Sequence, residues 1–204
     1  GVVLMTHDLG SSLFPAVQRV DSTAVRHAGW PAAGLPLTDD PAESRFTFFT
    51  PVPSLPSLIA SGSGTFLAAW ASAPDVDQFQ HVTMQRMTVE GVRDPAWPSG
   101  GRRVMDQGPL VGLDVLPDGS GGAYVVWFDG STALASHVLS DGTFANAAGA
   151  QGTLLVQAGD AYRPPLRSIS NRYAHVPAAV TSDGGLVFAW DDTLTSDAMR
   201  VRWY

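Results

Sequence analysis

Short apolar runs separated by turn residues fill most of the chain. Residues 66–70, 123–127 and 186–190 each follow a Gly-containing turn, are apolar throughout and end in Trp. Because their apolar residues occupy odd and even positions alike, they indicate strands with both faces buried. A single antiparallel sheet with one face in water would alternate apolar and polar residues instead. The pattern therefore predicts an all-β protein whose small sheets are stacked face to face.

A second element recurs along the chain. Residues 18–39 realign on residues 85–106 without a gap, and eight of the 22 positions are identical. The identical pairs are Gln18/Gln85, Arg19/Arg86, Val25/Val92, Arg26/Arg93, Trp30/Trp97, Pro31/Pro98, Gly34/Gly101 and Asp39/Asp106. Such self-similarity is typical of repeat architectures. We expect four strands per unit, near 57–60, 66–70, 82–87 and 102–105 in the second unit and near 111–116, 123–128, 133–139 and 153–157 in the third.

The first and last units are shorter. The first is expected to hold strands two to four, near 2–6, 14–20 and 35–38, and the last strands one to three, near 177–181, 186–190 and 198–203. Either four abbreviated units close on themselves, or the chain is an arc of a larger ring, which we favour. In an arc, the unpaired strand edges would invite pairing with other protein segments or subunits.

Radial sheets of four antiparallel strands define a β-propeller. The repeat resembles the blades of bacterial secreted propeller proteins, in which an apolar strand ending Trp-x-Asp and a Gln-Arg-Val strand precede a Trp-x-x-x-Gly turn. Here these elements are residues 118–129, 18–20 and 85–87, and 30–34 and 97–101. The third unit departs, because Ser136-His137 replaces Gln-Arg and Phe144 is expected in the place of Trp.

The resemblance implies one β-propeller repeat region over residues 1–204, open or closed, with about three and a half to four four-stranded antiparallel blades. Its approximate blades are residues 1–38, 55–106, 110–158 and 176–204, with insertions at 39–54 and 159–175. The resemblance also implies an extracellular or cell-surface location.

Composition removes several classes of chemistry. The 204 residues include no Cys and no Lys, which excludes disulfides, thiolate zinc sites and Schiff-base catalysis. A net charge of −7 argues against nucleic-acid binding. No apolar run approaches the roughly 18 residues of a membrane-spanning helix. The start of the chain lacks the basic region of a signal peptide, so we expect a processed piece of a longer protein, with a tag remnant as the alternative.

The repeated Trp and Arg are expected to build the scaffold, because an active site need not recur in every unit. Trp70, Trp127 and Trp190 would pack between blades, and Trp30 and Trp97 would cap outer strands. Arg19, Arg86 and Arg202 would satisfy turn carbonyls or pair with an Asp of the adjacent blade.

The two insertions are the candidate binding segments, since long loops on a rigid scaffold commonly carry function. Outer-to-inner links all emerge on one face of a propeller, so both insertions should lie on the same side. The candidate ligand- or partner-binding residues are Tyr162, Arg163, Arg167, Arg172, Tyr173, His175, Arg45 and Phe48. Asp75 and Asp77 have the i, i+2 spacing that suits calcium, the one cofactor we consider.

Together these features predict a non-enzymatic extracellular module for binding or assembly, which presents interblade loops on a rigid scaffold. Its expected partners are other protein segments or subunits, and glycan is a further candidate. The alternative is a glycan-acting hydrolase. Sialidase-like propellers use an Arg cluster, a Tyr and acidic residues, but their Asp-box is absent from this sequence and residues 140–144 only approximate it.

Overall fold

The computed structural model describes residues 2–8, 13–40, 57–62, 64–72, 80–108, 110, 112–129, 132–157, 162–163, 178–192 and 198–203. Their strands are β1 (Val2–Asp8), β2 (Leu13–Arg19), β3 (Leu35–Pro36), β4 (Ser57–Ala60), β5 (Thr65–Ser72), β6 (Gln80–Thr88), β7 (Arg102–Gly108), β8 (Gly112–Pro117), β9 (Ala123–Phe128), β10 (Thr132–Val138), β11 (Thr153–Gln157), β12 (Tyr162–Arg163), β13 (Ala178–Val180), β14 (Leu186–Asp192) and β15 (Ala198–Trp203). The only helical element among these residues is a 3-10 turn at Gly149–Gln151. The all-β fold class is confirmed, and no described helix has the length and hydropathy needed to cross a bilayer.

The strands form four antiparallel sheets, each built from strands that follow one another in the chain. Sheet I contains β1–β2–β3, sheet II contains β4–β5–β6–β7, and sheet III contains β8–β9–β10–β11. Sheet IV contains β13–β14–β15, and the two-residue β12 pairs with the last two residues of β14, beyond the first residue of β13. Apart from β12, each strand lies at a predicted position.

Both faces of sheet II are buried, as the apolar runs predict. On β5, Phe66, Ala68 and Trp70 pack in one core with sheet I. Their neighbours Leu67 and Ala69 pack in another core with sheet III. Side chains alternate across a strand, so an uninterrupted apolar run supplies both cores at once.

The same alternation continues along the stack. Trp127 faces sheet II from β9, whereas Val126 and Phe128 of that strand share a core with Phe188 and Trp190 of sheet IV. Trp70, Trp127 and Trp190 are exposed by 5% or less. Each packs against the sheet that precedes its own, which confirms that these indoles build the interior.

The Trp residues of the outer turns also pack between sheets. Trp30 belongs to the core between sheets I and II, and Trp97 to the core between sheets II and III. Trp97 lies against Gly142 of sheet III, where an added Cβ would be 3.1 Å from the indole. These side chains therefore connect neighbouring sheets as well as covering their own outer strands.

The prediction that Phe144 takes the place of this Trp is wrong. Isolated bridges join Met87 to Arg93 in sheet II and Val138 to Phe144 in sheet III. Phe144 thus corresponds to Arg93, and the position of Trp97, four residues later, is occupied by Ala148. The sequence gap between the units hid this offset, which becomes visible only from the strand register.

In each terminal sheet, a strand whose equivalents in sheets II and III have neighbours on both sides lies at an edge. Among the described strands, β1 pairs only with β2 and β15 pairs only with β14. First strands of sheets II, III and IV lie side by side, β4 against β8 and β8 against β13. No closed ring is detected within the described residues, where β1 and β15 do not pair with each other.

Candidate functional site

Most of the predicted site residues lie outside the described residues. This applies to Arg45, Phe48, Arg167, Arg172, Tyr173 and His175, and to the calcium candidates Asp75 and Asp77. Tyr162 and Arg163 form β12, where they pair with Asp192 and Asp191 of β14. The structure therefore brings two predicted residues beside two acidic positions, while the binding and calcium assignments stay predictions.

The repeated Arg residues join each sheet to the next one. The Arg19 guanidinium donates to the carbonyl of Val89 at 2.9 Å, and that of Arg86 donates to the carbonyl of Ser140, also at 2.9 Å. Val89 and Ser140 occupy equivalent turns in the following sheets. The prediction that these side chains satisfy turn carbonyls is confirmed, although the Asp that Arg86 contacts, Asp94 at 3.3 Å, belongs to its own sheet.

The placement of Arg202 with these residues is wrong by one position. Arg202 pairs with Phe188, which aligns with Ala68, and the partner of Ala68 is Gln85. Arg202 therefore corresponds to the Gln of the Gln-Arg pair. Trp203, opposite Val187, occupies the Arg position in sheet IV.

In sheet III, His137 occupies the Arg position and makes a different set of contacts. Its Nε2 lies 3.0 Å from Oδ2 of Asp118 in the turn between β8 and β9. The other carboxylate oxygen accepts hydrogen bonds from the backbone N–H groups of Ser120 and Gly122, at 2.7 and 2.9 Å. The Asp118 side chain is only 5% exposed, so its carboxylate relies on these protein groups for its hydrogen bonds.

The contacts of Asp118 favour its charged form. Burial raises the pKa of this carboxyl, but the hydrogen bond from His137 and those from the two backbone N–H groups outweigh burial and leave the pKa below its ordinary value. An ionised carboxylate only accepts hydrogen bonds. The Nε2 of His137 therefore carries the proton of this contact, and in the neutral ring Nδ1 is an acceptor.

Tyr124 provides the link to sheet IV that Arg provides at the other junctions. Its ring stacks on His137 with centroids 4.1 Å apart and an interplanar angle of 16°. Its hydroxyl donates to the carbonyl of Gly184 at 2.7 Å. Burial raises the pKa of Tyr124, and the charges of Asp118 and Asp183 add to this, so the phenol keeps the proton it donates.

A cleft of about 180 Å³ opens beside this stacked pair, between sheets III and IV. It is lined by Tyr124, Ala135, His137, Ala145, Asn146, Thr153, Leu155 and Leu186. On the same face of sheet II, Met84 stands where sheet III has Ala135, and Arg86 stands where it has His137. Two large side chains are thus replaced by smaller ones, which leaves the space.

Sequence reasoning missed this cleft because each isolated His was taken as structural. The signal was the departure of Ser136-His137 from the Gln-Arg pair, which marks a junction without the Arg contact. The cleft can bind a small group through apolar contact and one ring nitrogen. Among the described residues, no group of three His, Asp or Glu side chains is arranged to hold a metal ion.

Comparison with known proteins adds no family assignment. No protein-family model matches the sequence, and no curated protein matches it.

Proposed function

We propose that this chain is a non-enzymatic binding or assembly module of an extracellular protein, built as an open segment of a β-propeller. The observation that carries the proposal is that β1 and β15 each pair with one strand in the described part of the chain, whereas the equivalent strands of sheets II and III pair on both sides. The resemblance to bacterial secreted propeller proteins supports the location and the architecture.

These edges suit assembly because their backbone groups are already aligned. Strand β1 has seven residues and β15 has six, so each offers a row of N–H and C=O groups to an added strand. Their partner strands β2 and β14 contribute residues to the buried cores between the sheets. Proteins normally protect long edges, and pairing with a neighbouring segment or subunit is one form of protection.

The insertions supply a second surface in this proposal. Strands β4 and β13 run antiparallel to the strands that follow them, so the first residue of each lies toward the C-terminal end of that partner, and β12 pairs with the last two residues of β14. Residues 39–54 and 159–175 would therefore present their Arg, Tyr and Phe side chains at the same end of the sheets, to a protein partner or to glycan.

Hydrogen–deuterium exchange combined with light scattering tests the proposal. In a strand, successive N–H groups point to opposite edges, so alternate amides of β1 and β15 should exchange rapidly in the monomer. They should become protected when copies or partner segments associate. A monomer in which the amides of both strands are protected throughout would contradict the open arrangement.

The adjacent substitutions Leu4→Pro and Met5→Pro provide a matched pair. Proline removes one backbone donor, and the two positions donate toward opposite edges of β1. One variant should lose stability because it breaks the ladder with β2. The other should fold normally and lose association, and equal behaviour of the two would count against edge pairing.

A glycan-acting hydrolase is the second candidate. The observation in its favour is the pairing of Tyr162 and Arg163 with Asp192 and Asp191, which brings Tyr, Arg and acidic positions together. Hydrolysis of a sialoside or polysaccharide that is lost in Tyr162→Phe would favour this reading over a binding module.

A further inference from the structure

The cleft between sheets III and IV has the size of a single ring. An apolar protein cavity of about 150 Å³ binds benzene, whereas pockets for drug-sized ligands measure roughly 300–1,000 Å³. At about 180 Å³ the cleft matches the smaller class. An oligosaccharide or a nucleotide would not fit inside it.

The lining combines aliphatic and aromatic surfaces. Ala135, Leu155 and Leu186 supply aliphatic contact. The stacked rings of Tyr124 and His137 also line the cleft and supply aromatic surface, on which another aromatic ring can pack offset-stacked or edge-to-face. At the cleft, Asn146 and Thr153 bond each other through Nδ2 and Oγ1 at 3.2 Å, so their polar atoms are partly satisfied.

One ring nitrogen is available for recognition. Asp118 holds Nε2 of His137 and fixes the ring beside Tyr124. No described residue bonds Nδ1, and the His137 side chain is 22% exposed. In neutral His137, Nδ1 can accept a hydrogen bond from a ligand N–H.

The junction between sheets II and III shows which kind of aromatic ring fits between two neighbouring sheets. Between sheets II and III, the indole of Trp97 fills the outer part of the junction and its Nε1 donates to the carbonyl of Ser140 at 3.0 Å. Sheet III has Ala148 at the corresponding position. We propose that the cleft between sheets III and IV binds one planar aromatic ring that carries an N–H donor, of the indole type. This site is separate from the strand edges and insertions of the proposed function.

Titration of the intact chain with indole, followed by NMR chemical shifts, tests the proposal. We expect saturable binding in the millimolar range, with the largest shifts at Tyr124, Ala135 and His137. Benzothiophene has nearly the same shape and lacks the N–H, so it should bind several-fold more weakly. Absence of saturable indole binding would overturn the site, and equal binding of the two compounds would overturn the role of Nδ1.

Two variants of cleft residues and one control variant locate the bound ring. Ala135→Met introduces the side chain that sheet II carries as Met84 and should abolish indole binding while the protein keeps its circular dichroism spectrum. Ala145→Leu, at an exposed turn position, narrows the cleft without touching the core and should also weaken binding. Leu154→Met lies on β11 at a 47% exposed residue outside the lining and should bind as the parent does. Unchanged binding in both cleft variants would overturn the assignment.

N-acetyltryptophan amide distinguishes two sources of the ring. Binding of this compound as well as indole identifies a Trp side chain of a protein partner as the ligand. If indole binds and this compound does not, the cleft has no room for the backbone groups of a Trp residue. The ligand is then a free aromatic compound.

Discussion

The Gln of the repeated Gln-Arg pair has a hydrogen-bonding role in sheet I that its equivalent in sheet II lacks. Gln18 donates through Nε2 to the carbonyl of Pro31 at 2.8 Å. In sheet III, Ser136 makes the corresponding bond to Gly149 at 2.6 Å. Gln85 is fully buried, and neither polar atom of its side chain has a partner among the described residues. Burial of an amide without hydrogen bonds is destabilising.

The same substitution should therefore have different effects at the two Gln positions. Gln18→Met should lower the free energy of unfolding by about 1 kcal/mol, because it removes the hydrogen bond that the buried Gln18 side chain donates to the carbonyl of Pro31. Gln85→Met should be neutral or stabilising, because it removes an unsatisfied amide. Urea unfolding of both variants measures the difference, and an equal loss in the two would show that Gln85 is hydrogen-bonded in solution.

At the scale of elements, glycines determine how closely a turn can approach the strands of its own sheet. Gly101 ends the outer turn of sheet II with a φ of +87°, and a Cβ there would lie 2.7 Å from Thr83 Cγ2 and 2.9 Å from the carbonyl oxygen of Met84. Gly119, in the turn between β8 and β9, has a similar φ of +79° but no atom within 4 Å of an added Cβ. The first Gly is required by packing and conformation, and the second by conformation alone.

Replacing each of these two glycines with alanine separates the cost of the backbone conformation from the cost of the packing contact. Gly119→Ala should cost ~1–2 kcal/mol of stability, the usual penalty for a left-handed residue with a Cβ. Gly101→Ala should cost a further ~1–3 kcal/mol, because the backbone beside it must move. Thermal unfolding of the two variants provides the comparison, and equal losses would mean that the outer turn adapts without cost.

Elements were the most predictable level of this fold. Strand positions follow from apolar runs and Gly turns, so β5, β9 and β14 could be located from sequence. Equivalence between units was less predictable, because it depends on cross-strand register: Arg202 and Phe144 were each assigned to the wrong position. The candidate cleft could not be predicted, since it arises from which side chains are absent on one face of sheet III.

For the whole molecule, the three junctions between sheets are joined by different contacts. Sheets I and II are linked by Arg19 and by the bidentate pair of Arg93 with Asp39. Sheets II and III are linked by Arg86 and Trp97, which both donate to Ser140. The described side-chain bond between sheets III and IV is that from Tyr124 to Gly184, and Tyr124 is positioned by the His137–Asp118 pair.

Acid should therefore weaken the junction of sheets III and IV. Since the pKa of Asp118 is lower in the folded protein than in the unfolded chain, its contribution is present above about pH 4 and is lost as the pH falls through the folded value. Asp118→Asn should thus reduce the amide protection of β14 at pH 7. The difference in protection between the variant and the parent protein should become smaller toward pH 3. The turn carboxylates Asp21, Asp141 and Asp183, whose pKa values are also lowered, are common to both proteins. A difference in amide protection that stays constant with pH would contradict this role of Asp118.

Strands β12 and β13 both pair with β14, and this arrangement determines where new sequence could be inserted into the chain. Residues 164–177 connect Arg163, which pairs with Asp191, to Ala178, which pairs with Phe188. Three strand residues separate these points, a span of about 10 Å. Because the closure entropy of a loop grows only with the logarithm of its length, doubling the segment would cost about 0.6 kcal/mol. The position therefore acts as a graft point, where a new recognition sequence could be inserted while the register of β12 and β13 stays fixed.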